Sequence, residues 1–417
     1  MLVPSSKGWI NKYFDLVEKN QINLSYERSA EMEETAFIHA SLARTGIIFG
    51  FPNQLLFAQK MDAAKWTSEE KLKILLFESL LLVYSLNTKG KKVDKKEFSQ
   101  ALTDFYGFHG SSAIKKIFTF FLKETEEEKI ETIFSKRVDI KINFLENRLW
   151  VNYFNNVLIY LDVILFYDFL ANRSKSTLLN YDEMAMNTLT AISLACMSDG
   201  VIDSNEKNLF SVFLASANLS DLQRDVAEAR FQKGADFSDF TEQVKSNELL
   251  KLFLVDLASF VIFSNYDQTK GEISFLQILS EHIGVSDNQL NVGLTLTEQF
   301  LLNNQKDIPF LKSSSSVEKV YSSLSKRWIR ILGRNKDKLA TEIKQSKELV
   351  YLIRKSTITE LTKEEKEAVK SQFMDIVKSM PSLAIFLLPG GAFLLPLVLK
   401  VIPDLIPSAF RDNEVEK

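Results

Sequence analysis

Three carboxylates crowd one short turn. In "MSDGVIDSNEK" (197–207), Asp199, Asp203 and Glu206 fall within a single turn and the start of the next helix. Oxygen ligands at that density are the chemistry that holds a hard divalent cation such as calcium. The spacing differs from an EF-hand loop, which takes ligands at positions 1, 3, 5 and 12 around a central glycine. The same residues also have a structural use. Asp203 caps a helix and Glu206 closes a capping box, together worth about 1 kcal/mol. Gly200 supplies the left-handed residue after the preceding helix. That second reading leaves only Asp199 unexplained. A divalent cation at Asp199, Asp203 and Glu206 is the one cofactor these residues suggest.

The second chemistry-bearing stretch is "LLPGGAFLLPLVLKVIPDLIPSAF" (387–410). From Ser382 to Ile402 the only charge is Lys400, and 13 of the 21 residues are Leu, Ile, Val or Phe. That length can cross about 30 Å of hydrocarbon. The apolar residues supply about −4 to −8 kcal/mol of insertion free energy. Lys400 lies near one end and can snorkel, so it escapes much of the roughly +3 kcal/mol penalty of a central charge. Pro389, Pro396 and Pro403 are seven apart, and Pro407 follows by four. On a helix all four share one face, and each leaves a carbonyl one turn earlier without a donor. Lipid cannot satisfy those carbonyls, but a partner helix, a second copy of the chain or a water-lined cavity can. Gly390 and Gly391 divide the stretch, which fits a broken helix or a helical hairpin.

The elements that must position these features read as helices. Eight prolines occur in 417 residues, five of them between Pro381 and Pro407, and none lies between Pro52 and Pro309. Runs such as "KLKILLFESLLLVYSL" (71–86) and "LLKLFLVDLASFVIF" (249–263) are long and leucine-rich. Capping boxes punctuate the chain at Thr67–Glu70, Asp203–Glu206, Ser220–Gln223, Ser286–Gln289 and Thr362–Glu365. "NVLIYLDVILFYDFL" (156–170) approaches membrane hydrophobicity, but Asp162 and Asp168 interrupt it, so a buried helix is expected. "RVDIKINF" (137–144) alternates like a short strand, and "SSSS" (313–316) reads as a linker. A weak repeat relates "GKKVDKKEF" (90–98), "DGVIDSNEK" (199–207) and "NYDQTKGEI" (265–273), at offsets of 109 and 66 residues. Each copy is a turn between two helices that cannot bury its apolar face alone.

Composition narrows the function. Net charge is −3, which gives no global pull toward nucleic acid, and no DNA partner is expected. The single cysteine, Cys196, excludes an internal disulfide. His39, His109 and His282 are too dispersed for a zinc site. The N-terminus has no apolar core of a secretory signal. No GxSxG, Walker loop, GxGxxG or HExxH occurs, so no enzyme is expected. Charge is uneven: residues 1–325 carry a net −8, and 326–378 a net +6. A basic block directly before an apolar stretch is the pattern of a cytoplasmic membrane flank.

Two resemblances extend this reading. "TAISLACMSDGVIDSNEKNLFSVFLASANLS" (190–220) with "VDLASFVIFSNYDQTKGEISFLQILSEHIGVS" (255–286) resembles the two halves of a tellurite-resistance TerB-like domain. In the second half Asn265 and Tyr266 stand where that family has Asp-Gly. "PGGAFLLPLVLKVIPDLIPSAF" (389–410) resembles the membrane segment of the LETM family, through Phe393-Leu394-Leu395-Pro396, Lys400, Pro403, Pro407-Ser408 and Phe410. The preceding "KEEKEAVKSQFMDIVKSMPSLAIFLLP" is similar to that family's approach to the membrane, and the likeness covers roughly 340–410. Ala392 stands where the family has a membrane glutamate. The family continues beyond this segment with a ribosome-binding-type and coiled-coil region, whereas this sequence ends at Lys417. The resemblance implies cation/proton exchange or ribosome association. The order of parts resembles a bacterial LETM-related group linked by name to biofilms.

The expectation is an all-α protein, with a helical TerB-like body followed by a C-terminal proline-rich membrane helix or helical hairpin. Its parts are an N-terminal helical region (1–150) holding a divergent TerB-like unit, a TerB-like domain (151–312), and a basic juxtamembrane region (313–380). The LETM-like membrane segment (381–410) and a tail (411–417) follow. The body is placed in the cytoplasm of a bacterium, at the inner membrane. The expected role is a non-enzymatic scaffold or sensor, responsive to a cation or associated with ribosomes or proteins. Its partners are the membrane and a second copy of the segment. The alternative is an oligomeric component of a cation/proton exchanger. The residues that carry the membrane reading are Pro389, Phe393, Pro396, Lys400, Pro403 and Pro407.

Overall fold

Between Pro52 and Pro309 no proline interrupts a helical ladder, and the computed structural model follows that rule. The structure describes residues 2–28, 30, 32–89, 92–108, 124–139, 156–172, 181–264, 270–304, 314–378 and 380. Among them are seventeen α-helices, two 3-10 turns and no strand. The chain divides into two units, Met1–Glu27 with Glu34–Ser313, and Arg28–Glu33 with Ser314–Lys417.

The first unit holds α1 (Trp9–Glu18), α2 (Glu34–Ala43), α3 (Ser68–Asn87), α4 (Lys95–Phe108), α5 (Glu126–Val138), α6 (Tyr160–Asn172) and α7 (Tyr181–Cys196). It continues with α8 (Ser204–Ser216), α9 (Asp221–Lys233), α10 (Glu242–Ser246), α11 (Glu248–Ser264), α12 (Lys270–Ile283) and α13 (Asp287–Asn303). Two helices organise it. α3 packs against α5 and α6, and α11 packs against α2, α7, α12 and α13. Both are apolar around most of their circumference, as a helix enclosed on all sides must be. Phe77 of α3 is the hub of an aromatic cluster. Its ring centroid lies 4.9 Å from Tyr13, 5.3 Å from Trp9 and 5.6 Å from Phe98.

A helix enclosed by apolar neighbours is a costly place for a carboxylate. Fully buried carboxylates nevertheless occur, among them Glu78, Asp162 and Asp256. Glu78 of α3 accepts from Tyr13 Oη at 2.8 Å and from the backbone N–H groups of Leu56 (2.6 Å), Phe57 (3.1 Å) and Ala58 (2.8 Å). Asp162 of α6 takes a two-pronged Arg137 guanidinium at 2.8 and 2.6 Å, and Tyr106 Oη at 3.0 Å. Asp256 of α11 meets His39 Nε2 of α2 at 2.5 Å. Burial pushes the Glu78 and Asp256 carboxyls up, and their hydrogen-bond partners oppose that shift. A further carboxylate, Glu131 of α5, accepts from Gly8 and Ile10 N–H at 2.8 Å each and so closes the start of α1. Asp168, beside Asn247 at 2.7 Å, is raised by burial to about 6.

The expected repeat has a structural counterpart. α4 and α8 begin at Lys95 and Ser204, separated by the same 109 residues. Asn218 and Gly284, 66 apart, both take left-handed φ values, +52° and +78°. Each precedes a capped helix start, at Ser220 and Ser286. The five expected capping boxes form. A sixth, Thr125–Glu128, went unread.

Two local expectations are corrected. Ser314, Ser315 and Ser316 lie in a helix and not in a linker. Arg137 and Val138 end α5 instead of starting a strand, since the Asp162 carboxylate and the apolar core claim their side chains. The rest of that segment, 140–144, lies outside the described residues. Residues 160–170 form a buried helix whose Asp162 is neutralised by Arg137.

The second unit contains α14 (Ser314–Arg334), α15 (Lys336–Gln345), α16 (Lys347–Ile358) and α17 (Lys363–Lys378). α15, α16 and α17 pack on one another. They bury Leu339, Ile343, Leu349, Leu352, Ile353, Val369, Phe373 and Val377. Ser346 caps α16, and Lys355 of α16 pairs with Glu365 of α17 at 2.6 Å.

The Glu78 cradle makes a definite claim on stability. Glu78→Ala strands three amides and one phenol in the core and is expected to cost about 3–5 kcal/mol in urea denaturation. Tyr13→Phe, which removes one donor, is expected to cost about 1 kcal/mol. A cost below that for Glu78→Ala would show that the loop at 56–58 is not held by this carboxylate.

Candidate functional site

Two places carry the residues singled out by sequence. The first is the turn between α7 and α8. Asp199 Oδ1 accepts from the Val201 N–H at 2.9 Å, so its carboxylate closes the turn. Gly200 sits at φ +85° with open space where a Cβ would stand, so backbone conformation and not crowding selects glycine there. Asp203 Oδ1 accepts from the Glu206 N–H at 2.8 Å, and Glu206 Oε2 accepts from the Asp203 N–H at 2.8 Å. Glu206 is buried beside Cys196, whose thiol is raised by burial and then by the Glu206 and Asp203 charges. Each of the three carboxylates thus holds a backbone N–H of its own turn. Among the described residues no group of three or more His, Cys, Asp or Glu is arranged to hold a metal ion. In the third repeat copy, residues 265–269 lie outside the described residues.

The second place is the basic unit. Its acidic side chains are largely used within it. Glu365 pairs with Lys355, Glu360 with Lys366 at 2.8 Å, and Glu367 with Lys370 at 3.7 Å. Lys326, Arg330, Arg334, Lys336, Lys338 and Lys347 are exposed and make no ion pair among the described residues. These six cations are presented outward. Large apolar side chains stand among these cations: Ile329 is 43% exposed, Tyr351 61% and Ile358 83%. Sequence reading missed this face. Its signal, a helical spacing of Tyr351 and Ile358, was present, but the neighbouring Leu349, Leu352 and Ile353 at equally good spacings are buried instead.

The positions Pro389, Phe393, Pro396, Lys400, Pro403 and Pro407 lie outside the described residues. Among the described residues no helix is long and apolar enough to cross a membrane.

The comparisons with known proteins fall on this second place. Residues 361–417 match the family model described as LETM1-like, RBD. The match begins at Leu361, two residues before α17, and includes the whole apolar stretch. The ribosome-binding-type region of this family therefore overlaps that stretch in this chain, where the sequence reading set it after the stretch. The LETM-like likeness is shown for this C-terminal part of the chain. No curated protein matches the chain, and no solved structure matches it.

The capping geometry sets an expectation for the acidic turn. Asp203→Ala loses the cap and is expected to lower stability by about 1 kcal/mol, whereas Asp203→Asn keeps an acceptor and is expected to be within a few tenths of wild type. Thermal or chemical denaturation of the two variants checks this. Equal losses would show that the charge, not the cap, is what the turn requires.

Proposed function

We propose that this chain is a membrane-tethered, non-enzymatic scaffold of LETM-like type. In this reading the helical body lies in the cytoplasm and the basic unit presents a ribosome or protein partner next to the bilayer. The observation that carries the proposal is the match of 361–417 to the LETM1-like, RBD model. It joins α17 to a stretch whose composition suits a bilayer, so one module would hold both the partner-facing helix and the anchor. Two further features support it. The cations of 326–378 face outward, which suits an anionic partner. They also directly precede the apolar stretch, which favours a cytoplasmic body. The TerB-like resemblance of 190–286 belongs to the same reading, as a helical module for protein contacts.

The exchanger reading fares less well on chemistry. Between Ser382 and Ile402 the only ionisable group is Lys400. Ala392 supplies no carboxylate where proton or cation handling in a bilayer would need one.

The test uses full-length protein in membranes. The protein is expected to remain in the pellet after carbonate extraction, and deletion of 381–410 is expected to release it. Vesicles carrying the protein are expected to float with more bound ribosomes than protein-free vesicles. Release by carbonate would remove the anchor, and equal ribosome recovery would remove the ribosomal partner.

A further inference from the structure

One helix of the basic unit has a face that its own packing leaves uncovered. On α16 the residues Lys347, Tyr351, Arg354 and Ile358 are all exposed. Their spacing of four, three and four places them in one stripe along the helix. The opposite side of α16, with Leu349, Leu352 and Ile353, is buried. The stripe therefore alternates a cation, an aromatic ring, a cation and an aliphatic side chain. Ile358 is the most exposed large apolar side chain among the described residues, at 83%. α14 repeats the composition, with Lys326, Ile329, Arg330 and Arg334 exposed at helical spacing.

We propose that the α16 stripe docks onto an anionic lipid surface, with Tyr351 and Ile358 entering the headgroup region and Lys347 and Arg354 meeting lipid phosphates. Charge complementarity and apolar exposure together select this occupant. Amphipathic interfacial helices combine basic side chains with aromatic and aliphatic ones, and gain from both. An RNA partner would use the cations and could stack on Tyr351, but it offers no site for the aliphatic Ile358 and Ile329. Position agrees: only a few residues separate the end of α17 at Lys378 from the apolar stretch at Ser382. The proposal rests on the membrane reading above for its location, but its chemistry is a property of α16 alone.

The test places single cysteines at Tyr351, Ile358 and, as a control, Glu364 in the full-length protein, each carrying an environment-sensitive fluorophore. Cys196 is fully buried and does not compete for label. The labelled proteins are mixed with vesicles of phosphatidylcholine alone or with phosphatidylglycerol added. At positions 351 and 358 the expected result is a blue shift and a several-fold loss of iodide quenching on the anionic vesicles only. The label at 364 is expected not to change. The pair Lys347→Glu and Arg354→Glu is expected to abolish the shift, and circular dichroism verifies that this variant is folded. If carbonate strips the protein from the vesicles while the shift before extraction persists, the anchor reading fails and the α16 contact stands. If label 358 stays open to iodide on vesicles that retain the protein, the proposal is overturned. Shielding by added RNA without shielding by vesicles overturns it in favour of a nucleic-acid face.

Discussion

A carboxylate inside an apolar helix bundle must find its partners from elsewhere in the chain, and that constraint shapes the first unit. Glu78, Asp162 and Asp256 sit on packed helices of this unit. Each joins segments far apart in sequence. Glu78 ties α3 to α1 and to the 56–58 loop. Asp162 ties α6 to Arg137 at the end of α5 and to Tyr106 on α4. Asp256 ties α11 to His39 on α2. Burial of apolar side chains drives association of these helices but is indifferent to their register. A buried charge is not indifferent, because a slip of one position leaves it unpaired at a cost of several kcal/mol. The three anchors thus specify which helices meet and where.

Local chemistry was legible in the sequence, and long-range pairing was not. Helix starts were readable because a capping box is written within four residues, as at Asp203–Glu206 and Ser286–Gln289. The helix–turn–helix repeat was readable because its turns carry their own signature. The partner of Asp256 was not, because His39 lies 217 residues away and nothing local marks it. The helical end at Arg137 and Val138, where a strand was expected to start, was hidden for the same reason. Alternation described Arg137 and Val138 correctly, but a distant carboxylate decided the outcome. The basic face was half legible. Charge counting found it, whereas which apolar residues of α16 turn outward depended on what α17 covers.

The acidic turn shows how a candidate site is resolved by accounting for its acceptors. Asp199, Asp203 and Glu206 have the residue types of a cation site. Each also accepts a hydrogen bond from a backbone N–H of its own turn or helix start. In the second unit, cations and large apolar side chains stand exposed in helices that precede, in sequence, a stretch with a family likeness. The first unit buries several carboxylates with partners from distant segments, and the second exposes six cations.

The account stands on whether residues 382–402 enter a bilayer. A cysteine placed at each position from 381 to 412 in full-length protein, reconstituted in vesicles and treated with a membrane-impermeant thiol reagent, answers this directly. The expected map is a protected block across 385–399 flanked by reactive positions, with the proline face the most deeply protected. Uniform labelling from 381 to 412 would contradict the account and return the stretch to the soluble part of the protein.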